Sequence, residues 1–349
     1  MAYAISITPQ SERKVKETKS IPFGQQPTEH MFIAEYRNGQ WQDSRIVPFA
    51  DLTMSPFALC LHYGQTVFEG MKAFQMQDGH INIFRPKKHY DRFIKSLNRM
   101  CMPEVPEALF IEALHQLVQL DASWVPEEAD GSLYIRPFMI ASEERLGVKV
   151  ADEYIFMIVC TPAYQYYSKP LKVKVEDKYV RAADGGTGAT KCGGNYGAAF
   201  YPTELAKKEG FDQVIWTDAK THHLIEESGT MNLMFFINNT LVTAPLSGTI
   251  LDGVTRDSML NIAKDMGIAT EERPLTHDEI RQALENGDRV EAFGAGTAAV
   301  VAPIESITIG GQAYNCYLGD DAVMYKLRDA LYNIRKGISP DTHNWNYKI

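Results

Sequence analysis

The stretch GGTGATKCGGNYG, residues 185–197, presents one lysine, Lys191, between two glycine-rich flanks. Glycine lets a backbone turn tightly and approach a ligand closely. A lysine withdrawn from bulk water there can act as an amine nucleophile. The order of residues argues against a nucleotide P-loop, because Thr190 precedes the lysine and Cys192 follows it. A surface glycine loop with a solvated lysine is the alternative, and this stretch alone leaves both interpretations open.

The composition of the chain is that of an ordinary globular protein. Its 349 residues, with 45% hydrophobic and 23% charged residues, predict about two domains around large cores. A net charge of −9 argues against a nucleic-acid or membrane partner. No apolar run approaches the ~20 residues of a membrane span, and the N-terminus lacks the apolar region of a signal peptide. Five cysteines without a C-x-x-C pair indicate reduced thiols, so we expect a soluble, cytoplasmic protein.

The first half of the chain alternates strand-like and helical segments. HINIF (80–84) predicts a strand, and Arg85 and Pro86 open a helix with apolar residues at helical spacing. SLYIRPFMI and EYIFMIVC predict paired strands further along. The tyrosine-rich segment TPAYQYYSKP (161–170) is bracketed by prolines. We therefore predict a smaller N-terminal α/β domain over residues 1–162 and a linker over 163–174.

The second half continues the same mixture of strands and helices. Two strands are predicted to form a hairpin that turns at Asn238 and Asn239, and a helix is predicted to follow Gly253. Thr276 and Glu279 have the spacing of a capping box. We therefore predict a larger C-terminal α/β domain over residues 175–349 that contains Lys191, and a two-domain mixed α/β protein.

The sequence offers the groups that a lysine-bound pyridoxal phosphate would need. The cofactor requires phosphate ligands at a helix N-terminus, a carboxylate for the ring nitrogen and a partner for the phenolic oxygen. DGVT around Val254 can form a phosphate cup, Glu227 can supply the carboxylate, and Tyr196 lies close to Lys191 in sequence. DGVT could instead be a simple helix cap, and Glu227 could be a solvated turn residue. FGAGTA also matches a dinucleotide fingerprint, but no βαβ unit precedes it.

Six separated motifs together resemble the branched-chain amino acid aminotransferases, which are fold-type IV pyridoxal-phosphate enzymes. The motifs run in one collinear order from about residue 28 to about residue 336: HYGQTVFEGMKAF, SLYIRPF, ATKCGGNYG, EESGTMN, DGVTRDS and FGAGTAA. The resemblance implies a D-amino acid aminotransferase-like architecture of two mixed α/β domains, with pyridoxal 5′-phosphate as the cofactor.

The resemblance also implies roles for particular residues at the cofactor. Lys191 is similar to the catalytic Schiff-base lysine, and Glu227 to the carboxylate that faces the pyridine nitrogen. Tyr196 resembles the tyrosine that is hydrogen-bonded to the phenolic oxygen. The remaining residues expected to bind the cofactor are those of the phosphate site, namely Arg85, Val254, Thr255 and Thr297. Arg181 is at most a minor cofactor contact, and no metal is implied.

The implied substrate pocket is aromatic and apolar, with a turn for the substrate carboxylate. Its expected members are Tyr63, Phe68, Tyr134, Arg136, Tyr164, Thr230, Thr297 and Ala298. Among them, Arg136 resembles the arginine that engages the distal carboxylate of glutamate. Leu146 and Val148 resemble residues that the family contributes across its dimer interface. Lys72 lies in a matching motif without an assignable role.

The function implied by the resemblance is reversible amino transfer between leucine, isoleucine or valine and 2-oxoglutarate. The expected partners are these small molecules, glutamate and a second copy of the chain, in the setting of branched-chain amino acid biosynthesis. Another fold-type IV enzyme, such as a D-amino acid aminotransferase or an aminodeoxychorismate lyase, is the alternative within the class. A non-catalytic protein that binds phosphate ligands is the alternative outside it.

Overall fold

The computed structural model describes residues 5–7, 22–164 and 166–349. The elements of the first half are β1 (Ser6–Ile7), β2 (His30–Arg37), β3 (Gln40–Pro48), α1 (Leu59–Tyr63), β4 (Thr66–Phe68), β5 (Met71–Gln75), β6 (Ile81–Phe84), α2 (Pro86–Arg99), α3 (Glu107–Leu120), β7 (Ser132–Ala141) and β8 (Tyr154–Ala163). The second half contains β9 (Leu171–Val175), α4 (Gly193–Lys208), β10 (Gln213–Thr217), β11 (Ile225–Ser228), β12 (Met231–Ile237), β13 (Thr240–Thr243), α5 (Val254–Asp265), β14 (Ala269–Glu272), α6 (His277–Glu285), β15 (Glu291–Gly296), β16 (Val300–Ile309), β17 (Gln312–Asn315), α7 (Val323–Arg335) and β18 (Asn346–Lys348).

The chain divides into two compact units, each made of more than one stretch of the sequence. The first unit comprises the described residues up to Tyr166 together with Lys191–Gly194 and Ile334–Ile349, and the second comprises Tyr167–Thr190 and Asn195–Asn333. The sequence placed residues 163–174 in a linker, yet residues 171–174 belong to β9 of the second sheet. It also placed Lys191 and the C-terminus in the second domain, whereas both group with the first unit because their backbones bond to its strands.

The first unit is built on a nine-stranded sheet in the order β1-β3-β2-β8-β7-β5-β6-β18, with β4 paired to β7. Helix α2 begins with Pro86 in its first turn, where the missing N–H costs no hydrogen bond. Its apolar face buries Phe93 completely, and this ring lies 5.7 Å from those of Phe110 in α3 and Phe156 in β8. Burial of these rings fixes α2 against the sheet, which matters because Arg85, a predicted site residue, directly precedes this helix.

The second unit is built on another nine-stranded sheet, which closes on itself. Its order is β11-β10-β9-β16-β15-β12-β13-β14, with β17 paired to β16, and β11 also pairs with β12. All seven residues of β12 are buried. The predicted hairpin between β12 and β13 is confirmed, since Asn238 and Asn239 adopt φ of 50° and 60° and turn the chain tightly. The closed sheet holds β11 and the turn after β15, both of which carry predicted site residues.

A short strand that the sequence analysis did not identify follows α7. Strand β18 pairs antiparallel with β6, so that Tyr347 lies opposite Ile83. The backbone N–H of Arg85 donates to the carbonyl oxygen of Trp345 at 2.7 Å. The C-terminal segment thus completes the sheet edge from which α2 departs. In the described ranges, no helix combines the length and apolar character needed to cross a bilayer.

Candidate active site

Lys191 lies in the first unit, with its backbone held on both sides. Its N–H donates to the hydroxyl oxygen of Ser96 at 3.0 Å, and its carbonyl oxygen accepts from the N–H of Phe68 at 3.0 Å. A Cβ at Gly193 would lie 2.6 Å from the hydroxyl oxygen of Thr66, so only glycine fits this close approach. The amine of Lys191 lies 4.8 Å from the centre of the Phe68 ring. The lysine is therefore half-buried and oriented by its backbone.

Helix α2 carries a polar stripe that the sequence analysis did not identify. Glu69 is buried between β4 and β5, and its carboxylate accepts from Arg92 Nε at 2.7 Å and lies 2.8 Å from His89 Nδ1. Burial alone would raise the pKa of Glu69, but the charge and hydrogen bonds of Arg92 and His89 hold it well below its usual range. Burial lowers the pKa of His89 to about 4, although Glu69 opposes this. Ser96 completes the stripe and contacts Lys191.

Arg85 stands at the N-terminal end of the same helix. It adopts a left-handed backbone conformation with φ of 53°, so it stands outside the regular helix that follows. Its guanidinium lies 4.5 Å from the centre of the Trp345 ring. Such a cation–aromatic contact restrains a long side chain. Arg85 is thereby placed as a restrained cation, which is the property a phosphate ligand requires.

Three of the predicted pocket residues lie together in the first unit. Arg136 donates from Nη2 to the hydroxyl oxygen of Tyr134 at 3.0 Å, and its guanidinium lies 4.8 Å from the centre of the Phe68 ring. Phe68 thus contacts both Arg136 and the amine of Lys191. A Cβ at Gly70 would lie 2.0 Å from the Tyr134 hydroxyl oxygen, so this ring position requires glycine. The arrangement combines aromatic walls with one cation.

The remaining predicted residues of the first unit are more exposed. Tyr63 donates its hydroxyl hydrogen to the carbonyl oxygen of Leu146 in the same chain. Leu146 and Val148 are 49% and 80% exposed, although both are large apolar side chains. Tyr164 follows β8 and is partly buried. Tyr63 and Leu146 are therefore adjacent, a pairing that the sequence did not predict.

Glu227 lies in β11 of the second unit and is buried. Its Oε2 forms an ion pair with Arg181 Nε at 2.9 Å, and its Oε1 accepts from the N–H of Leu251 at 2.9 Å and from Asn232 Nδ2 at 3.1 Å. These donors stabilise the charged carboxylate. Arg181, expected to be a minor cofactor contact at most, is here the ion partner of Glu227.

The predicted phosphate cup is the first turn of α5. Val254 and Thr255 are 2% and 3% exposed, and Gly253 before them provides no capping side chain. A Cβ at Gly253 would lie 1.8 Å from Asn232 Oδ1, so glycine is required where the helix begins. A helix N-terminus attracts anions through its N–H groups and its dipole.

Thr297 and Ala298 form the tight turn between β15 and β16. Val300, directly after the turn, has φ of 63°, a strained conformation for a β-branched residue. Thr230 is exposed in the turn between β11 and β12. A strained, compact turn of this kind presents its backbone N–H groups in a fixed direction.

The glycine-rich loop before Lys191 is closed by a residue that the sequence analysis missed. Asn195 donates from Nδ2 to the carbonyl oxygens of Thr187 and Thr190, both at 2.8 Å, and accepts from the Thr187 hydroxyl at 2.7 Å. Tyr196 follows it and is partly buried in α4. An asparagine next to glycines in a loop is a recognisable signal, because its side chain readily bonds to nearby backbone groups.

Comparison with known proteins identifies the family. Residues 66–307 match the family described as Amino-transferase class IV. The chain is 42% identical over 341 residues to Branched-chain-amino-acid transaminase 1 of Bacillus subtilis (strain 168), covering 95% of each. The crystal structure of a T.th. branched-chain amino acid aminotransferase complexed with N-(5′-phosphopyridoxyl)-L-glutamate has a TM-score of 0.72 at 26% identity, covering 90% of this chain and 97% of that one. That of the branched-chain aminotransferase from Thermoproteus uzoniensis with norvaline has a TM-score of 0.75 at 24% identity, covering 91% and 99%, and shows the common fold.

The chain therefore belongs to the class IV aminotransferases, which use pyridoxal phosphate. Its similarity over nearly the whole length places it in the branched-chain amino acid aminotransferase family within that class. The mixed α/β, fold-type IV architecture expected from the sequence is confirmed.

Proposed function

We propose that this protein catalyses reversible amino transfer between leucine, isoleucine or valine and 2-oxoglutarate, with pyridoxal 5′-phosphate as the cofactor. The observation that carries the proposal is the half-buried Lys191, whose backbone is bonded to Ser96 and Phe68 in a chain that resembles branched-chain transaminases over 95% of its length. A lysine held in this way can present its amine repeatedly in one direction.

The residues present fit the cofactor. The buried carboxylate of Glu227 is kept charged by Arg181, as a protonated ring nitrogen requires. The first turn of α5 is an anion site in which Gly253 leaves no room for a Cβ. Arg85 supplies a restrained cation for a phosphate. The ring nitrogen and the phosphate of pyridoxal phosphate therefore each have matching groups in the chain.

The protein's own residues divide the chemistry among them. Pyridoxal phosphate, when bound, withdraws electrons from the substrate's Cα. Lys191 Nζ acts as the general base that removes the proton from that Cα. In its protonated form, Lys191 then acts as the general acid that gives the proton back. Glu227 holds the proton on the ring nitrogen. The rings of Phe68 and Tyr134 exclude water from the reacting atoms.

The substrate class follows from an aromatic lining with a single cation. Phe68 and Tyr134 suit branched aliphatic side chains, while Arg136 can meet the distal carboxylate of 2-oxoglutarate or glutamate. A D-amino acid aminotransferase or an aminodeoxychorismate lyase is the alternative. Near-full-length similarity to branched-chain transaminases favours the branched-chain activity over both.

We further propose a homodimer that works in the cytoplasm, in branched-chain amino acid biosynthesis. Leu146 and Val148 support the dimer, because large apolar side chains are rarely so exposed unless another surface covers them. Five cysteines without a disulfide among them support a reducing compartment.

An absorbance titration tests the proposed activity. The purified protein with pyridoxal phosphate should show the band of the lysine-bound cofactor, and L-leucine should bleach it. Lys191→Ala is the matched control and should lack both the band and turnover. A panel of L- and D-amino donors with 2-oxoglutarate then separates the alternatives. Bleaching by D-alanine but not L-leucine, or wild-type turnover by Lys191→Ala, would reject the proposal.

A further inference from the structure

Two histidines and an aspartate of the second unit take no part in the chemistry described above, yet their side chains lie together. His223 belongs to the loop between β10 and β11, and His277 and Asp278 are the first residues of α6. His223 Nδ1 lies 3.2 Å from His277 Nε2, and the two rings meet edge to face with their centres 4.6 Å apart. We call these three side chains the His-His-Asp cluster.

The backbone holds the two histidines beside each other. The N–H of His277 donates to the carbonyl oxygen of His223 at 3.1 Å, and Leu224 forms an antiparallel bridge with Thr276. The loop that carries His223 is also fixed from within, because the carboxylate of Asp218 accepts the N–H groups of His223 and Leu224 at 2.9 and 2.8 Å. Both imidazoles are therefore attached to restrained backbone.

The carboxylate of Asp278 lies within ion-pair distance of both rings. Its Oδ2 is 3.5 Å from His223 Nε2, and its Oδ1 is 3.5 Å from His277 Nδ1. Within the ranges that the structure describes, this buried Nδ1 has no hydrogen-bond partner. Asp278 Oδ1 also pairs with Arg281 Nη2 at 2.7 Å. The side chains of His223 and Asp278 are 44% and 34% exposed, so a small ion can reach the cluster from solvent.

Two imidazoles and a carboxylate are a donor set that suits transition metals such as zinc. Zinc binds imidazole nitrogen at about 2.0–2.1 Å, so two nitrogens on adjacent corners of its tetrahedron lie ~3.4 Å apart. The 3.2 Å between His223 Nδ1 and His277 Nε2 is close to that separation. One ligand atom from each of the three residues lies within 4.8 Å of the others. An ion that joined the two nitrogens would replace their hydrogen bond.

We propose that His223, His277 and Asp278 bind one divalent transition-metal ion of the zinc class. The ion joins the loop before β11 to the first turn of α6, and it stabilises the folded chain by mass action because it binds that state. The N-terminus of α6 slightly disfavours a cation, but Asp278 and Glu279 in its first turn offset this. The site needs neither cofactor nor substrate, so it does not depend on the proposed function.

Zinc titration of the metal-free holoenzyme, without a polyhistidine tag, tests the proposal. Calorimetry should show one zinc ion bound per chain. His223→Gln and His277→Gln should each weaken zinc binding at least ~10-fold, because loss even of a group that only supports a metal ligand costs roughly 10- to 100-fold. Zinc should raise the melting temperature of the wild type but not that of His277→Gln. Mg²⁺, which prefers oxygen ligands, should not compete with zinc.

A variant of Arg281 separates a metal site from a simple hydrogen-bonded pair of histidines. Arg281→Gln releases Asp278 Oδ1 from its ion pair. Zinc should then bind up to ~5-fold more tightly, the factor that corresponds to a surface salt bridge. A hydrogen-bonded pair without a metal function predicts no such gain. Weaker zinc binding by Arg281→Gln would contradict the assignment of Asp278 as a ligand.

The matched control is a histidine paired with an aspartate elsewhere on the surface. His80 Nδ1 lies 3.3 Å from Asp78 Oδ1, and His80→Gln should bind zinc as the wild type does. Unchanged zinc affinity in both His223→Gln and His277→Gln, or wild-type protein that binds less than one zinc ion per chain, would overturn the proposal. If one of these two variants does not fold, the zinc affinity of the other decides, because each lacks one ligand.

Discussion

Two adjacent carboxylates in β11 illustrate what single residues contribute. Glu227 is paired with Arg181 and accepts the N–H of Leu251, so its negative charge is stabilised. Glu226 points to the other side of the strand and accepts the hydroxyl of Thr249 at 2.6 Å. Burial raises the pKa of Glu226. Of the two, Glu227 is the one in an ion pair, so it is the better candidate for the partner of a pyridinium nitrogen.

Glu227→Gln should retain cofactor but lose most of its turnover. A neutral amide does not hold the ring nitrogen's proton, and we expect kcat to fall at least ~100-fold, or about 2.7 kcal/mol of barrier. Steady-state kinetics with L-leucine and 2-oxoglutarate measure the loss. Glu226→Gln is the matched control and should keep kcat within a few-fold. If Glu226→Gln lost more kcat than Glu227→Gln, Glu226 would be assigned as the partner of the ring nitrogen.

Arg136 is the residue on which substrate range depends most directly. One pocket must accept both an isobutyl group and a carboxylate, and a carboxylate in apolar surroundings is costly without a cation. In the described part of the chain no carboxylate pairs with Arg136, whose contacts are Tyr134 and Phe68. This argues against the alternative that Arg136 pairs with a carboxylate in the core of its own unit.

Arg136→Ala should therefore raise the KM for 2-oxoglutarate and glutamate far more than the KM for leucine. Removal of a charge-assisted hydrogen bond predicts a loss of about 1.5–3 kcal/mol in kcat/KM for the dicarboxylates. Half-reaction kinetics with leucine and with glutamate separate the two effects. Equal losses for both amino acids would instead indicate that Arg136 supports the packing of Phe68 and Tyr134.

At the scale of elements, α2 links several parts of the site. His89, Arg92 and Ser96 are spaced by three and four residues, which places them on one face of the helix, and Arg85 is the residue directly before its first turn. Arg85 is the candidate phosphate ligand, and Ser96 accepts the backbone N–H of Lys191 at 3.0 Å. The helix therefore connects the candidate phosphate ligand with the candidate catalytic lysine, and its buried middle residues hold it to the sheet.

The buried His89 should make stability fall in mild acid. Its pKa is about 4 in the folded protein, so between the unfolded value near 6.5 and pH 4 only the unfolded chain takes up this proton. Folding stability attributable to His89 is complete above pH 6.5 and declines by up to ~1.4 kcal/mol per pH unit below it. Glu69, whose pKa is also lowered, adds a further decline below its own unfolded value near 4.5.

His89→Gln should flatten the upper part of that decline, because glutamine can still donate a hydrogen bond to Glu69 but does not titrate. Urea denaturation of the cofactor-free protein from pH 7 to pH 4.5 measures the difference. Above pH 6.5 the unfolding free energies of the wild type and of His89→Gln should depend on pH in nearly the same way. If the unfolding free energies of the two proteins changed with pH in parallel from pH 7 to pH 4.5, His89 would not be the group that causes the loss of stability.

The elements that the sequence predicted are those with strong local signals. The Asn238–Asn239 hairpin, the proline start of α2 and the hydrogen bond of Thr276 to the Glu279 N–H are all confirmed. Strands β9 and β18 were missed, because five- and three-residue strands acquire their conformation from pairing with distant strands. Local pattern carries no information on such partners.

The candidate site, like the fold, could be predicted from the sequence only in part. Motif resemblance supplied the residues expected to contact cofactor and substrate, and their roles stay predictions. Ser96, His89 and Arg92 were missed because a polar residue on a helix is ordinarily solvent-exposed, and only packing against Glu69 and Lys191 shows that these are buried or engaged. Their spacing on one face is the signal that could have revealed them.

At the scale of the whole molecule, one surface of the first unit is unusually apolar. The residues leading into helix α1 and the segment that follows β7 are joined by backbone contacts, including that of the Arg145 N–H with the Phe57 carbonyl oxygen. Large apolar side chains with exposures of 43–80% lie along these two segments, namely Phe57, Leu61, Tyr63, Leu146, Val148 and Val150. Exposed large apolar side chains grouped on two adjoining segments are typical of a subunit interface.

Val148→Asp should therefore shift the protein from dimer to monomer. A carboxylate at the most exposed apolar position of this surface would lose its hydration on association and oppose the same charge on the second copy. Sedimentation velocity at micromolar protein measures the change, and transaminase activity should fall with the dimer if the loop completes the partner's pocket. Leu246→Asp, at an apolar residue of the second unit that is 47% exposed, is the control and should stay dimeric. A Val148→Asp protein that sediments as the wild type does would exclude this surface as the interface, and a monomer with full activity would exclude the contribution of Leu146 and Val148 to the partner's site.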